Sequence, residues 1–576
     1  MSSLRRYVAL LRSQHQLIDI YAPVNPYLEL AEIHRRIIED QGPALLFHNV
    51  LGSSFPVLTN LFGTKQRVNY IFSHIPDDLL TRIIQLLSSP PSLSSLWKSR
   101  DLLRRGLSLG QRKVFWKPFP FVKSSIDLNK LPMLTSWPED GGAFLTLPLI
   151  YTESPYSSIP NLGIYRMQRF DYQTLGLHFQ IQKGGGMHFY EAEQKKQDLP
   201  VTVYLSGNPF LTLSAIAPLP ENISELLFCS FLQGSKLLYK KIKPHPHPLL
   251  FDAEFILTGK ALAGVRRPEG PFGDHFGFYS LQHDFPVFKC LNIYHKKDAI
   301  YPATVVGKPY QEDFYLGEKL QDYLAPLFPI VMPGVVSLKS YGEAGFHALT
   351  AAIVKERYWR ESLVSALRIL GEGQLSLTKF LLITDQFICL NKFSEVLETI
   401  LERLIPKRDL IVFSETANDT LDYSGPQLNQ GSKAIFMGIG NAQRSLPHKY
   451  QGQRLPGIDD IGVFCKGCLV LETTINDNID NLLRHPQLQN WPLIILTSCL
   501  QKTLNSEKDF LWRTFINSSP ATDLHVRHKQ YSLHRPDYIF PIILNAQDKP
   551  SHPKEVVSCE KISRKVTLRW REFFPK

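Results

Sequence analysis

The sequence predicts an α+β protein with a β-rich centre between two α/β regions. Three observations carry this. Helical and strand patterns alternate near the start of the chain. From about residue 115 to 325 short β-rich runs separated by Gly and Pro replace them, and beyond 340 the alternation returns. With 576 residues, 44% hydrophobic and 20% charged, the chain is long enough for three or four ordinary globular domains.

The first region is read from "VNPYLELAEIHRRIIEDQGPALLFHNV". Asn25 is placed to cap a helix, Pro26 to take its first turn, and Leu30, Ile33 and Ile37 to share one apolar face. Gly42 and Pro43 stop that helix, and Ala44 to Phe47 start a buried strand. "FPVLTNLFGT" follows as strand and turn, and "SSPPSLSSL" from Ser88 to Leu96 as a loop before a boundary near residue 115.

In the centre, "GAFLTLPLIY", "LGLHFQIQ", "PVTVYLSG", "AEFILTGKAL" and "FPVFKCLNIYH" recur at a spacing that suggests a barrel or sandwich. One helix interrupts them at "PENISELLFCSFLQGSK", with Asn222 or Ser224 as its cap. Beyond 340, "GFHALTAAIVKE" reads as helix, "KFLLITD" as strand, "KFSEVLETILERLI" as helix and "RDLIVFSE" as strand, an order that fits βαβ units. "RPDYIFPIILNAQDKP" adds a strand, "VTLRWREFF" a terminal helix, and no internal repeat stands out.

A net charge of +11 favours anionic partners. No arginine-rich block or aromatic RNA-binding signature accompanies it, so nucleic acid is not expected. Seven cysteines, an odd number, argue against a disulfide framework and for a reducing compartment. Cys465 and Cys468 have metal-ligand or redox spacing but no second pair, which favours plain buried or surface thiols. The start of the chain lacks an apolar signal core, and no run of about 18 apolar residues occurs. A cytoplasmic protein is expected, with room for peripheral contact at an inner-membrane surface.

Three central patches collect polar residues where sheet patterning would not. "PNLGIYRMQRF" holds Asn161, Arg166, Gln168 and Arg169; "FQIQKGGGMHFY" holds Lys183, three glycines and His188; "RRPEGPFGDHFGFYS" holds Glu269, Asp274 and His275. The glycines beside Lys183 read either as a hairpin turn or as a backbone cradle for an anion. Arg166 follows an apolar pair, and a buried guanidinium requires a carboxylate partner, for which Glu269 and Asp274 are the candidates. Either this is a structural ion pair, or one acid stays ionised while burial and repulsion push the other upward as a proton donor.

At these patches the sequence resembles the UbiD family of prenylated-flavin-dependent decarboxylases. "LGIYRMQ", "KGGG", "PEGPFGDHFGFY", "DAIYPATVVGKPYQED" and "GSKA" occur in that family's order, and the resemblance covers almost the whole chain. It implies an N-terminal α/β domain (1–114), a central split β-barrel of flavin-reductase type binding prenylated FMN (115–328), and a C-terminal α/β domain with a terminal extension (329–576). It implies removal of CO2 from an aromatic or α,β-unsaturated acid. The departing group leaves electrons in the ring plane that no side chain can accept, so a cofactor must.

Residue by residue, the resemblance implies that Arg166, Glu269 and Asp274 form the catalytic network, with Asp274 protonating the product carbon. Ile164, Tyr165, Arg166, His178, Phe179, Gln180, Lys183 and Gly184 fall where the family contacts the flavin, and Lys433 where it reaches the cofactor from the C-terminal domain. Asn161 and Glu225 match ligands of a divalent metal (usually Mn2+, often with K+), and His188 is a further candidate near the phosphate. Asp at the third network position looks like the branch acting on hydroxybenzoate-type quinone precursors. After Lys433, however, the chain reads "AIFMGIGNAQR" where many relatives continue Asp-Ala-Thr, which resembles menaquinone-route relatives more. The expected partners are an aromatic acid, a flavin prenyltransferase that supplies the cofactor, and further copies of the chain. A flavin-binding or assembly protein without catalysis is the competing reading.

Overall fold

The computed structural model describes residues 3–73, 75–76, 78–88, 100–180, 183–206, 208, 209–219, 223–308, 310–474, 479–550 and 552–575. They form two compact units, the first of residues 1–323 and 554–576, the second of 324–553. Most of the "SSPPSLSSL" loop, and Asn222, lie outside the described residues.

After a helix at Leu4–Ser13, the first unit continues with β1 (Leu17–Ile20), α1 (Glu29–Glu39), β2 (Ala44–Phe47) and β3 (Val57–Thr59). The helix starts three residues later than Pro26 suggests, because Asn25 uses its side chain to turn the chain at Tyr27 rather than to cap. Leu30, Ile33 and Ile37 face the core as the pattern requires.

The centre is one curled half-barrel sheet. Its strands are β4 (Phe144–Leu145), β5 (Leu149–Glu153), β6 (Pro160–Ile164), β7 (Met167–Arg169), β8 (Thr174–Leu177), β9 (Leu199–Ser206), β10 (Ala253–Glu269) and β13 (His283–His295). Their order is β4-β7-β8-β13-β10-β9-β5-β6, with Val122–Ser124 added to β13. Helices interrupt it, among them α2 (Gly184–Gln194) and α3 (Glu225–Gln233), with Pro209–Ile216 between them. Between β10 and β13 lies a short hairpin, β11 (Phe272–Gly273) and β12 (Tyr279–Ser280). β14 (Tyr301–Pro302) joins β1, β2 and β3 in a small sheet. Val203, Phe255 and Phe288 of the half-barrel share one core with Leu30, Leu45 and Phe47. Burying a side chain of this size contributes about 1.5–3 kcal/mol.

The terminal helix α9 (Glu560–Phe573) returns to this unit and places Val566 and Phe573 in the same core. Arg569 reaches Glu29 at the start of α1. Ahead of it, Lys554 and Val556 bond the backbone of the β11–β12 hairpin region at Tyr279 and Gly277. The last stretch of sequence therefore staples the loop that carries Asp274.

The second unit contains two five-stranded sheets. The first comprises β15 (Val335–Ser340), β16 (Leu349–Val354), β17 (Phe380–Thr384), β18 (Leu410–Ala417) and β19 (Gln430–Gly438), ordered β15-β16-β17-β19-β18. Its helices include α4 (Glu361–Leu370), α5 (Phe393–Arg403) and the single turn α6 (Pro406–Asp409). The second comprises β20 (Asp460–Cys465), β21 (Cys468–Glu472), β22 (Leu493–Thr497), β23 (Leu524–Ser532) and β24 (Arg535–Asn545), ordered β20-β21-β22-β24-β23. Helix α7 (Glu507–Ile516) and the turn α8 (Pro520–Asp523) accompany it.

The sequence reading errs at "GFHALTAAIVKE": Leu349–Val354 is a strand, not a helix. All six of its residues are buried, so the run lacks the alternation that marks a half-buried strand, and periodicity alone cannot separate it from a buried helix. The sheets are also mixed rather than parallel, since β15 and β18 run antiparallel to their neighbours.

Candidate active site

The stretch "RRPEGPFGDHFGFYS" does not sit on a turn alone. Glu269 is the last residue of the 17-residue strand β10, whose preceding residues from Gly264 to Pro268 are exposed while Glu269 is fully buried. Gly176 on β8 makes room for it: a Cβ there would approach the Glu269 Cγ to 3.2 Å. Gln168 of β7 fixes the backbone beyond it, accepting from Gly270 N at 2.8 Å and donating to Gly141 O at 2.7 Å.

Arg166, between β6 and β7, points into this corner. Its Nε and Nη2 donate to the two oxygens of Glu269 at 2.8 and 3.1 Å, and its Nη1 to Asp274 Oδ2 at 2.5 Å. Nη2 also donates to Ser280 Oγ at 2.9 Å, and the guanidinium lies 4.6 Å from the centre of the Phe272 ring. Such a bidentate fork fixes orientation as well as charge. His178 adds its Nδ1 to Glu269 Oε2 at 3.1 Å, while its buried Nε2 has no partner. Asp274 Oδ1 accepts from the His275 backbone N at 2.6 Å and lies 2.5 Å from the His275 Nδ1.

The electrostatics follow. Burial works to raise the Glu269 carboxyl, but Arg166 and His178 together outweigh it and hold it far below the usual range. Burial likewise raises Asp274, and the His275 ring and Arg166 outweigh it, so Asp274 is held below its ordinary value as well. Of the two readings, the chain by itself favours the ion pair: one guanidinium and two imidazoles stand beside two carboxylates, and both carboxyls are held below their ordinary values.

A second cluster adjoins the first through Tyr165. Its hydroxyl accepts from Gly185 N at 3.2 Å, and its ring meets Phe179 edge-on at 5.2 Å. The glycine triplet is neither a hairpin turn nor a free loop: it forms the first turn of α2, with Lys183 at the N-cap position. Helix N-termini present unpaired N–H groups suited to phosphate. A Cβ on Gly184 would stand 2.2 Å from Asn161 Oδ1, so only glycine lets the helix start this close to β6. The Asn161 amide lies against the Tyr165 hydroxyl, its hydrogen-bond neighbour in this corner.

Glu225, first residue of α3, accepts from Leu162 N at 3.1 Å. Burial pushes its carboxyl up to about 7, against only backbone N–H groups. His188 on α2 is held through Nδ1 by Thr152 Oγ1 at 2.9 Å, and Thr152 is the cross-strand partner of Asn161. An amide oxygen, a half-buried acid held only by backbone N–H groups among the described residues, and an imidazole held at Nδ1 are donor types that suit a divalent cation. The unpartnered His178 Nε2 is a group that a bound molecule would satisfy.

Ile164 closes β6, while Gln180 and Lys183 flank residues 181 and 182, which lie outside the described set. Lys433 belongs to the second unit, where its Nζ donates to Thr378 O at 3.0 Å and burial lowers it to about 8. Sequence reasoning gave no role to Ser280, although it pairs with Phe272 across the hairpin. It also missed Asp140, which accepts from the backbone of Ser136, Trp137 and Gly273 and is pushed up to about 6 by burial. The acidic "SWPEDGG" turn was the available signal. Cys465 and Cys468 are both buried and face each other across the β20–β21 turn.

Three family models match in chain order: the 3-octaprenyl-4-hydroxybenzoate carboxy-lyase N-terminal domain over residues 8–87, the Rift-related domain over 113–309 and the C-terminal domain over 314–438. The chain belongs to the UbiD family. A Chlamydia pneumoniae protein named as one of the subunits of a 4-hydroxybenzoate decarboxylase is 71% identical over 577 residues, covering 100% of this chain and 99% of that protein. Among solved structures, the vanillic acid decarboxylase of Sedimentibacter hydroxybenzoicus in its closed form has a TM-score of 0.67 at 22% identity, covering 79% of this chain and 96% of that one. An evolved dimeric form of the UbiD-class enzyme HmfF from Pelotomaculum thermopropionicum, in complex with prFMN, has a TM-score of 0.62 at 21% identity, covering 80% and 98%. Among the described residues, no helix is long and apolar enough to cross a membrane.

Proposed function

We propose that this chain is a non-oxidative decarboxylase of an aromatic acid in quinone biosynthesis, acting on a prenylated 4-hydroxybenzoate or a naphthoate-type menaquinone precursor. The observation that carries the reading is the buried fork of Arg166 on Glu269 and Asp274, beside a half-barrel whose solved fold relatives include one with prFMN. A prenylated FMN bound here would supply the electron sink that side chains lack.

The chain's own residues divide the remaining work. Asn161, Glu225 and His188 would hold a divalent ion, Mn2+ with K+ nearby, beside the flavin phosphate, and the start of α2 with Lys183 would supply further anion-binding groups. Ile164, Tyr165, His178, Phe179 and Gln180 would line the isoalloxazine, with the unpartnered His178 Nε2 bonding it. Lys433 would approach from the C-terminal region. Arg166 receives the substrate carboxylate; Glu269, fixed on both oxygens, keeps the guanidinium charged and oriented; Asp274 delivers a proton to the carbon that CO2 leaves.

The test is co-expression with a flavin prenyltransferase, followed by a visible spectrum and incubation with both acid classes. A bound chromophore with CO2 release supports the reading. A bound chromophore with no turnover of any aromatic acid favours the flavin-binding or assembly protein instead.

Gly184→Ala checks the phosphate and metal corner without relying on turnover. Its Cβ must displace Asn161. Disturbing a residue that orients a metal ligand typically costs about 10–100-fold in metal affinity. Titrating Mn2+ into the metal-free chain should show a loss of that size, and unchanged affinity would remove Asn161 from the ligand set.

A further inference from the structure

The second unit contains the same α/β unit twice. Both sheets have antiparallel outer strands and three parallel central ones, in the same order. Their registers coincide: Phe380 stands opposite Leu349 and Ala434, and Leu493 opposite Cys468 and Ile542. The same backbone bond enters each fourth strand, Ala434 N to Lys379 O at 2.7 Å and Ile542 N to Pro492 O at 3.0 Å.

A local motif repeats as well. Ile405-Pro406-Lys407-Arg408-Asp409-Leu410 and Ser519-Pro520-Ala521-Thr522-Asp523-Leu524 lead into β18 and β23. In each, proline takes the first helical position and the aspartate accepts the N–H of the residue before that proline, at 3.0 Å for Asp409 and 2.6 Å for Asp523. The match of the C-terminal family model ends at Gly438, the end of the first copy.

The copies meet reciprocally. The turn α6 of the first packs on β24 of the second, and α8 of the second on β18 and β19 of the first. Lys379 donates to Ile516 O and Ser518 O at the end of α7, while Arg444 donates to Leu401 O near the end of α5, so each helix receives a cation at its negative end. Phe380 and Phe393 meet Phe515 edge-on at 5.2 and 5.6 Å, and Ser432 Oγ lies 2.8 Å from Ser519 Oγ. A patch meeting its own counterpart in this way is the signature of a two-fold dimer interface.

The copies are not chemically equal. The first carries Lys379 just before β17 and Lys433 within β19, one residue ahead of the paired Phe380 and Ala434; the same register positions in the second hold Pro492 and Pro541. A copy without either ammonium can supply surface but not that chemistry.

We propose that residues 440–553 are a non-catalytic second copy of the C-terminal unit that fills its self-association face from within the chain, so the protein is a monomer with one site. This departs from the homo-oligomer expected from sequence; the pairing of the copies rests on the fold, while the absence of a second site rests on the cofactor role proposed for Lys433.

Two measurements on the full chain test it. Light scattering at micromolar and at tens-of-micromolar concentration should return 65.8 kDa throughout. A doubled mass overturns the proposal. In the second, Ser432→Cys/Ser519→Cys should oxidise to an intrachain disulfide, leaving one chain on a non-reducing gel. A crosslinked dimer, or a folded double variant that does not crosslink, would show that the copies do not pair in cis.

Discussion

Arg166→Met is expected to destabilise the first unit by about 3–5 kcal/mol at neutral pH, the usual cost of removing one partner from a buried ionic network. Glu269 is fully buried and Asp274 nearly so, and Arg166 donates to both. Without the guanidinium, burial acts on both carboxyls with only His178 and His275 to oppose it. The sign with pH is fixed by direction. In the native chain both acids are held below their ordinary values, so their stabilisation is present at neutral pH and is lost as pH falls through the folded values. In the variant their values rise, and protonation relieves the strain. The stability gap should therefore be widest near pH 7 and narrow as pH falls below about 5. Denaturant midpoints across that range measure it. Arg166→Met/Glu269→Gln should recover part of the loss, a coupling that a double-mutant cycle reads directly. A gap below about 1 kcal/mol, the level of an exposed pair, would mean that water screens this corner.

Most of this network was legible in the sequence, for a physical reason. A guanidinium after an apolar pair and acids framed by Gly-Pro-Phe-Gly are costly placements, and costly placements mark sites. Glu225 and Asn161 were legible only through resemblance, since a helical acid and a turn amide look ordinary until burial is known. Ser280 and Asp140 were missed because their roles depend on pairing across a hairpin and on backbone N–H groups, neither of which leaves a periodic trace. The strand Leu349–Val354 was misread because a run buried on both faces has no alternation to show. The duplicated unit escaped because the two copies share register and turn geometry while differing at most positions, as Lys433 and Pro541 illustrate. Topology repeats there; the side-chain pattern does not.

The lowered carboxyl of Asp274 leads to the other large effect. Asp274→Asn keeps the side chain's shape and leaves an oxygen for Arg166, so the fold and the bound flavin should persist. CO2 release should fall by about 10²–10⁴-fold, the usual contribution of a positioned proton donor. Yet the free chain holds this carboxyl below its ordinary value, because His275 and Arg166 outweigh burial. A proton donor must first gain its proton. An arriving aromatic carboxylate would engage Arg166, sharing the counter-charge that Asp274 relies on, and would add a like charge nearby. Both changes raise the Asp274 value. Binding of an unreactive aromatic acid should accordingly take up a proton, seen as a buffer-dependent heat in calorimetry. That uptake should vanish in Asp274→Asn, and the affinity should rise, because the variant no longer has to gain a proton on binding. Wild-type binding without proton uptake would mean that substrate does not charge the donor, and turnover retained in Asp274→Asn would place the proton elsewhere. Because the two readouts are separate, the assignment of the residue and the way it is loaded can fail independently.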